Sequence, residues 1–532
     1  MTHVILIASV LSLCSAVATS QPADPFAAAA ENGRQANEAL SRSHRFVLGW
    51  MKHVDPASGL FPRNLTKDKD IWNAKDCAAD NYPFMVLTCA LTDEPMFRGK
   101  MLEMLGIETR LCSRVDRLPD TYSFSRRGFL TDQPNMEEVI FGSAEYCKDG
   151  LLPLTEWLGP SPWSGRMLGI LDDIWKHAGV ETKSGKIPSA NIEVNGDLLQ
   201  ALSRTFWMTG DRKYLEWAER LGDHYLLDQH PTRVLPTIRL RDHGCETIAG
   251  LSELYLAVAH ADPERKKRYE EPIRAMFDRI LEIGRNEHGL LYNVVDTRTG
   301  KPVNADLCDT WGYNYNAFYT VYLVDGTTKY RDAVRHVLSN LKPHYLDHQW
   351  GAVHVLADEF ADSIEGGINL YNREPIESVA DWIDHSIRKM WAIQKPDGIV
   401  EGWHGDGNFA RTSIMYALWK SQGATIHPWR EDVRLGAVRD GKTVYLTLTA
   451  EKPWAGHIAF DRPRHRDFMH LPLDYPRINQ FPEWFTADAK RQYEVAIGEK
   501  TTTLNGRDLW KGLSLETTED NATTHIRVSP TQ

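Results

Sequence analysis

The sequence predicts a mainly α-helical chain whose helices close into a double ring of six or seven hairpins, followed by an antiparallel β-sheet region. Three observations carry this. Several segments repeat one plan, an apolar helix, a tight turn of Gly, Asp or Pro, then an amphipathic helix. Within each unit the first helix is apolar almost all round and the second has a polar face, as a buried inner helix and its outer partner require. After Gly423 the helical pattern stops and short β-type runs parted by turn residues take over.

In chain order, the first twenty residues, MTHVILIASVLSLCSAVATS, have an apolar run and then small residues, and read as a secretory signal peptide cleaved near Ala18 or Ser20. The n-region offers only His3, and Leu13 before Cys14 departs from a lipoprotein box, which favours simple export. No later segment approaches the ~20 uninterrupted apolar residues of a membrane span, so the mature protein is expected to be soluble. The formal net charge of -11 comes without a basic run, which argues against nucleic acid as a partner. Cys77, Cys89, Cys112, Cys147, Cys245 and Cys308 remain after cleavage, show no CxxC pairing, and read as buried thiols.

The clearest units are ALSRTFWMTGDRKYLEWAERLGDHYL from Ala201, LSELYLAVAHADPERKKRYEEPIRAMFDRIL from Leu251 and AFYTVYLVDGTTKYRDAVRHVLSNL from Ala317. MVLTCALTDEPMFRGKMLEML from Met85 and SIEGGINLYNREPIESVADWIDHSIRKM from Ser363 fit more loosely. Residues 136–158 and 409–421 bring the inner candidates to about seven. The helix over 27–53 has no preceding partner and the one ending near Ser421 has no following partner, so the two can pair and close the ring. VRLGAVRDGKTVYLTLTA, GHIAFD, QYEVAIG, KTTTLNG and HIRVSP supply the strands of a β-sandwich-like domain over 425–532, after a ring domain over 25–423. The Arg-rich and aromatic stretch from Phe460, FDRPRHRDFMHLPLDYPRINQFPEWF, interrupts the strands; it packs across the ring, walls its cleft, or is a plain loop.

The plan resembles the (α/α) toroid of the six-hairpin glycosidase-like superfamily and of toroid polysaccharide lyases, over residues 27–423, on the TGDRKY-type turns. The resemblance implies a carbohydrate-active ring with a cleft at one face. Toroids of this kind commonly carry a C-terminal β domain.

In such a ring the loops leading into the inner helices converge. Here they concentrate acids, amides and aromatics: NAKDCAADNY from Asn73, PSANIEVNGD from Pro188, IRLRDHGCE from Ile238, NADLCDTWGYNYN from Asn304, ADEFADSIEGG from Ala357 and EGWHGDGNFART from Glu401. Helix N-capping explains such residues singly, and is the expected role of Asp80, Asp197 and Ser363. Capping does not need bulky aromatics, so DTWGYNYN reads as a saccharide-facing wall, with Trp311 and Tyr315 as binding residues; core wedging is the other reading, above all for Tyr315.

Glycosidic hydrolysis needs a proton donor and a second carboxylate. The expected pair is Asp309 with Asp362 or Glu365, with Asp242, Glu246, Glu193 and Asp406 in reserve. Arg239, Arg241 and Arg411 suggest recognition of an acidic sugar such as a uronate, or ion pairs with nearby acids. Asn195 and His404, with Glu193 and Asp406, complete the expected binding set. The same loops hold residue types that toroid lyases use for β-elimination, Tyr313, His243, Asn195 and Arg241. An unsaturated glucuronyl hydrolase, a sugar epimerase and a non-catalytic carbohydrate-binding protein are further readings. His243 with Glu246, or His404 with Asp406, lack a metal-site pattern, and there is no phosphate-binding glycine loop, so neither metal nor cofactor is expected.

Overall fold

The computed structural model describes residues 24–351 and 356–531, so the expected leader lies outside the described residues. Among the described residues no helix is long and apolar enough to cross a membrane.

Among the described residues seven inner helices succeed one another around a ring. They are Ala74–Asn81 running on as Tyr82–Thr92, Met136–Glu145 running on through Tyr146–Leu151 to Leu152–Leu158, Ile192–Thr209, Cys245–Ala261, Trp311–Asp325, Ala357–Arg373 and Asn408–Lys420. Each of the first six leads into an outer partner, such as Arg212–Gly222, Pro263–Ile283 or Thr328–Tyr345. The chain is thus an (α/α) toroid, with seven hairpins. Inner helices are buried nearly all round, as in Trp311–Asp325 from Trp311 through Val321, whereas Arg212–Gly222 buries chiefly the face of Tyr214, Leu215, Ala218 and Leu221. The repeated turn has a simple basis. Gly210, at φ 71°, ends one inner helix in the left-handed conformation, and Asp211 caps the next helix by accepting from the Lys213 N–H.

The ring closes through its ends. Pro25–Met51 lies outside Asn408–Lys420, with Tyr416 Oη donating to Gln35 Oε1 at 3.1 Å and the Phe46 and Phe409 rings 6.3 Å apart. The same first helix meets the β region on its other side, where Asn32 Nδ2 donates to Ala437 O at 2.8 Å. That region has a five-stranded antiparallel sheet, in spatial order Val433–Asp440, Thr443–Ala450, Thr523–Pro530, Gln492–Ile497, Lys500–Asn505. A three-stranded sheet of Thr425–His427, Trp454–Ala459 and Leu513–Thr517 shares its core, built on Leu446, Leu448, Ile458, Val495 and Ile526.

Between the strands the chain returns to the ring and plugs its centre. Tyr475 Oη donates to Glu253 at 2.7 Å, Arg477 pairs with Glu156 at 2.8 Å, and Arg204 reaches Ile478 O at 3.3 Å. Asn369 donates to Arg477 O at 3.3 Å. These partners sit toward the C-terminal halves of inner helices, so the plug occupies the side opposite the converging loops.

Candidate active site

The loop side holds a cavity of about 390 Å³ over the plug, with Ile478 and Asn479 as its floor. Among the described residues its wall carries eight carboxylates, from Asp76, Asp80, Glu145, Asp149, Asp242, Glu246, Asp358 and Asp362, against four Lys or Arg, namely Arg63, Lys75, Lys148 and Arg411.

Three of the acids, Asp76, Asp80 and Asp149, arise from widened helical turns. In Ala74–Asn81 and Tyr146–Leu151 the backbone bonds span five residues, as from Ala78 N to Asn73 O, a geometry that recurs at functional sites. The two segments touch at Gly150, where a Cβ would stand 2.7 Å from Ala78 O. This contact sets Asp80 and Asp149 on adjoining walls of one cavity. Burial, with the carboxylates of Asp149, Asp358 and Asp76 adding to it, pushes Asp80 well above the ordinary range, and Arg411 opposes this only in part. Burial pushes Asp149 up too, but Lys148 at 2.7 Å, a hydrogen bond with Glu145, and Arg411 outweigh it and hold this carboxyl below its ordinary value. Asn479 Nδ2 also donates to Asp149 at 2.7 Å. One carboxyl is pushed toward its protonated form beside one held toward its ionised form, the division of labour that acid–base chemistry uses.

A second group lies across the cavity. Arg411 contacts Asp362 at 2.7 Å and Glu365 at 3.0 Å, and Tyr313 Oη donates to both, at 2.9 and 2.8 Å. Asp362 and Tyr313 line the wall, whereas Glu365 is fully buried beneath them, where burial lifts it to about 7. Asp242 and His243 also reach the wall, on a loop held at φ 24° and 51°. Burial disfavours the charged His243 ring, but contacts with Glu193 and Asp242 dominate and raise it to about 9. His404 stands 3.7 Å from Asp80 and 3.8 Å from Asp76, and Asp406 is buried behind it with neither carboxylate oxygen accepting a hydrogen bond among the described residues.

Other expected site residues lie elsewhere. Asp309 lines a neighbouring pocket with Arg241, its partner at 3.2 Å, while Asp362 lines the main cavity and remains near enough for its charge to raise Asp309. Trp311 is a core wedge, buried against Trp382 with Nε1 donating to Ser363 Oγ at 2.9 Å, and Tyr315 is buried with Oη on Gly289 O. Asn195 is buried between Ser189 O and Tyr225 Oη, off the cavity. Arg239 pairs with Asp242 at 3.2 Å on the surface. The capping roles expected of Asp80, Asp197 and Ser363 also fail. Asn73 caps the first helix by accepting from Cys77 N, Asn191 caps the third, and Ser363 sits mid-helix.

Among the described residues four sets of donor atoms fall within 4.8 Å of one another and could hold a cation: Asp76, Asp80 and His404; Glu145, Asp149 and Asp197; Glu145, Glu193 and His243; and His465, Asp474 and Glu483. Each already holds or adjoins a protein cation: Arg63 on Asp76 in the first, Lys148 beside the second, His243 in the third and Arg373 on Asp474 in the fourth.

No protein family and no curated protein sequence matches the chain. Among solved structures it is similar to the family 76 α-1,6-mannanase of Salegentibacter sp. HEL1_6, bound to α-1,6-mannotetrose as an inactive variant, at 12% identity and TM-score 0.40, over 71% of this chain and 97% of that one. It is also similar to a family 76 mannosidase of Bacteroides thetaiotaomicron, at 12% identity and TM-score 0.39 over 72% and 99% of the two chains. A possible family 105 member from Salmonella enterica aligns at 14% identity and TM-score 0.39, over 52% and 81%.

Proposed function

We propose that this chain is an exported glycoside hydrolase in which Asp80 protonates the leaving glycosidic oxygen and Asp149 is the second carboxylate. The observation that carries this is the adjoining pair whose surroundings drive their protonation apart. As the glycosidic C–O bond breaks, the Asp80 proton passes to the departing oxygen. The Asp149 carboxylate then faces the positive charge growing at the anomeric carbon, as nucleophile or as base for water.

The cavity favours a sugar without a carboxylate. Its cations are already matched: Arg63 by Asp68 and Asp76, Lys75 by Glu138, Lys148 by Asp149 and Glu246, and Arg411 by Asp362 and Glu365. A uronate would add charge to a wall of eight carboxylates. The arginines that suggested an acidic sugar are taken up too, Arg239 by Asp242 and Arg241 by Asp309. Elimination is disfavoured by the same surroundings, since burial raises the Tyr313 hydroxyl well above its ordinary value and His243 is an imidazolium near neutral pH. Trp403 lies on the cavity rim, 59% exposed, with the Lys67 ammonium 5.5 Å from its ring centroid.

The test is to incubate purified protein with neutral glycans (mannan, glucan, galactan, xylan) and with pectate, alginate and hyaluronan, following reducing ends and near-ultraviolet absorbance together. New reducing ends from a neutral glycan without absorbance are expected. Rising absorbance on a uronate polymer would replace hydrolysis by elimination.

A further inference from the structure

The stretch from Phe460 does more than fill the ring. Its segment 475–480 brings one side chain into the centre of the cavity floor. Asn479 Nδ2 donates to Asp149 Oδ1 at 2.7 Å, its Oδ1 accepts from Arg411 Nη1 at 2.9 Å, and its backbone N–H donates to Glu365 at 2.6 Å. One residue thus ties the second inner helix to the sixth and seventh, and it is 2% exposed. We propose that Asn479 is a positioning residue for the hydrolase, and that the chain beyond the ring completes the catalytic site by delivering it. This deepens the reading of Asp149 as the catalytic carboxylate and rests on it.

An amide can donate to one partner and accept from another at once, so Asn479 meets an anion and a cation that lie on different helices. A carboxylate in its place would keep the Arg411 contact but repel Asp149, and an apolar side chain would leave both buried groups without it. The plug itself is held by Arg477 on Glu156 and Tyr475 on Glu253, so the amide is aimed from a fixed base. Asn479 has φ 59°, in the left-handed region, where asparagine is tolerated and glycine is unstrained. Asn479→Gly therefore removes the amide and keeps the turn.

Asp149 is also faced by Lys148 and Glu145 from its own helix, by Asp80, Asp197 and Glu246 from neighbouring inner helices, and by Arg411. Removing the Asn479 donor leaves these in place and withdraws one stabiliser of the anion, so protonation of Asp149 should begin at a higher pH.

The experiment has two arms. In the first, kcat/KM is followed against pH on the glycan that wild type cleaves. The acid limb is expected to move up by about one pH unit in Asn479→Gly and further in Asn479→Asp, with KM little changed; an unmoved limb in both variants overturns the proposal. In the second, Tm near neutral pH is measured for wild type, Asn479→Gly, Asp149→Asn and the double variant. Losses that fail to add support the link, and additive losses overturn it. If wild type cleaves no glycan, the hydrolase reading falls while the second arm still decides whether Asn479 positions Asp149.

Discussion

The ring has two buried layers of charge, and they are built differently. On the plug side three carboxylates meet three arginines: Arg204 joins Glu156 at 3.0 Å to Glu253 at 2.6 Å, Arg477 joins Glu156 to Asp474, and Arg373 closes on Asp474 at 2.6 Å. Burial pushes Glu156 and Asp474 up, yet their arginines overcome it and keep both below the ordinary range. On the cavity side eight carboxylates meet four Lys or Arg, and Asp80 and Asp406 are driven far upward by burial and like charge. Balanced charge fastens the plug to the ring. Surplus negative charge, which can be relieved only by taking up protons or a ligand, marks the face where chemistry is placed.

The comparison breaks first at Asp80. Asp80→Asn removes the proton donor while preserving shape, and kcat is expected to fall about 10³-fold on an unactivated glycan, the scale of general acid catalysis; initial rates of reducing-end release check it. Next comes the plug. Arg477→Met leaves Glu156 and Asp474 each short of a partner in the interior, a loss of about 3–5 kcal/mol for a broken buried pair, read by denaturant unfolding.

The pH dependence of stability sharpens the contrast. Burial lifts Asp309 to about 7, so the folded chain keeps this proton where the unfolded chain, titrating near ~4, has released it. Stability contributed by that proton is therefore present below about pH 4 and lost as the pH rises through about 7, at about 1.4 kcal/mol per pH unit. Tm should accordingly be higher at pH 5 than at pH 8, and Asp309→Asn should flatten the slope. Glu156 and Asp474 act in the opposite sense, giving up stability as the pH falls below the unfolded carboxylate value of about 4. The smallest effect belongs to Arg239→Ala. Its pair with Asp242 is exposed, so Tm should shift by no more than about 0.5 kcal/mol equivalent, with KM for a neutral glycan unchanged; a large rise in KM would restore an acidic sugar.

The ring was legible in the sequence because its signals are local. An apolar helix, a left-handed glycine and a capping aspartate, as at Gly210 and Asp211, repeat along the chain, and the unpartnered end helices announced their own pairing. The site was legible only as a set of loops. Asp362, Asp242, His243, Tyr313, His404 and Arg411 do line the cavity, but Asp80 and Asp149 lie inside helices, and what turns them toward it is a pair of widened turns and the Gly150 contact. Neither leaves a periodic mark. DTWGYNYN misled because its aromatics diverge: Gly312 meets Gly366 so closely that Trp311 is wedged into the core while Tyr313 faces the cavity. Asn479, 330 residues from the aspartate it touches, is a contact that no short motif encodes, though the Arg-rich stretch around it was a visible signal.

The most direct test of the central claim uses an aryl glycoside of whichever sugar the glycan panel identifies, with a leaving group acidic enough to depart without a proton. Asp80→Asn is expected to regain near wild-type bond cleavage on this substrate, while Asp149→Asn stays inactive. Equal loss in both variants on the activated and the natural substrate, or full activity of Asp80→Asn on the natural glycan, would contradict the assignment of Asp80 as the acid and Asp149 as its partner.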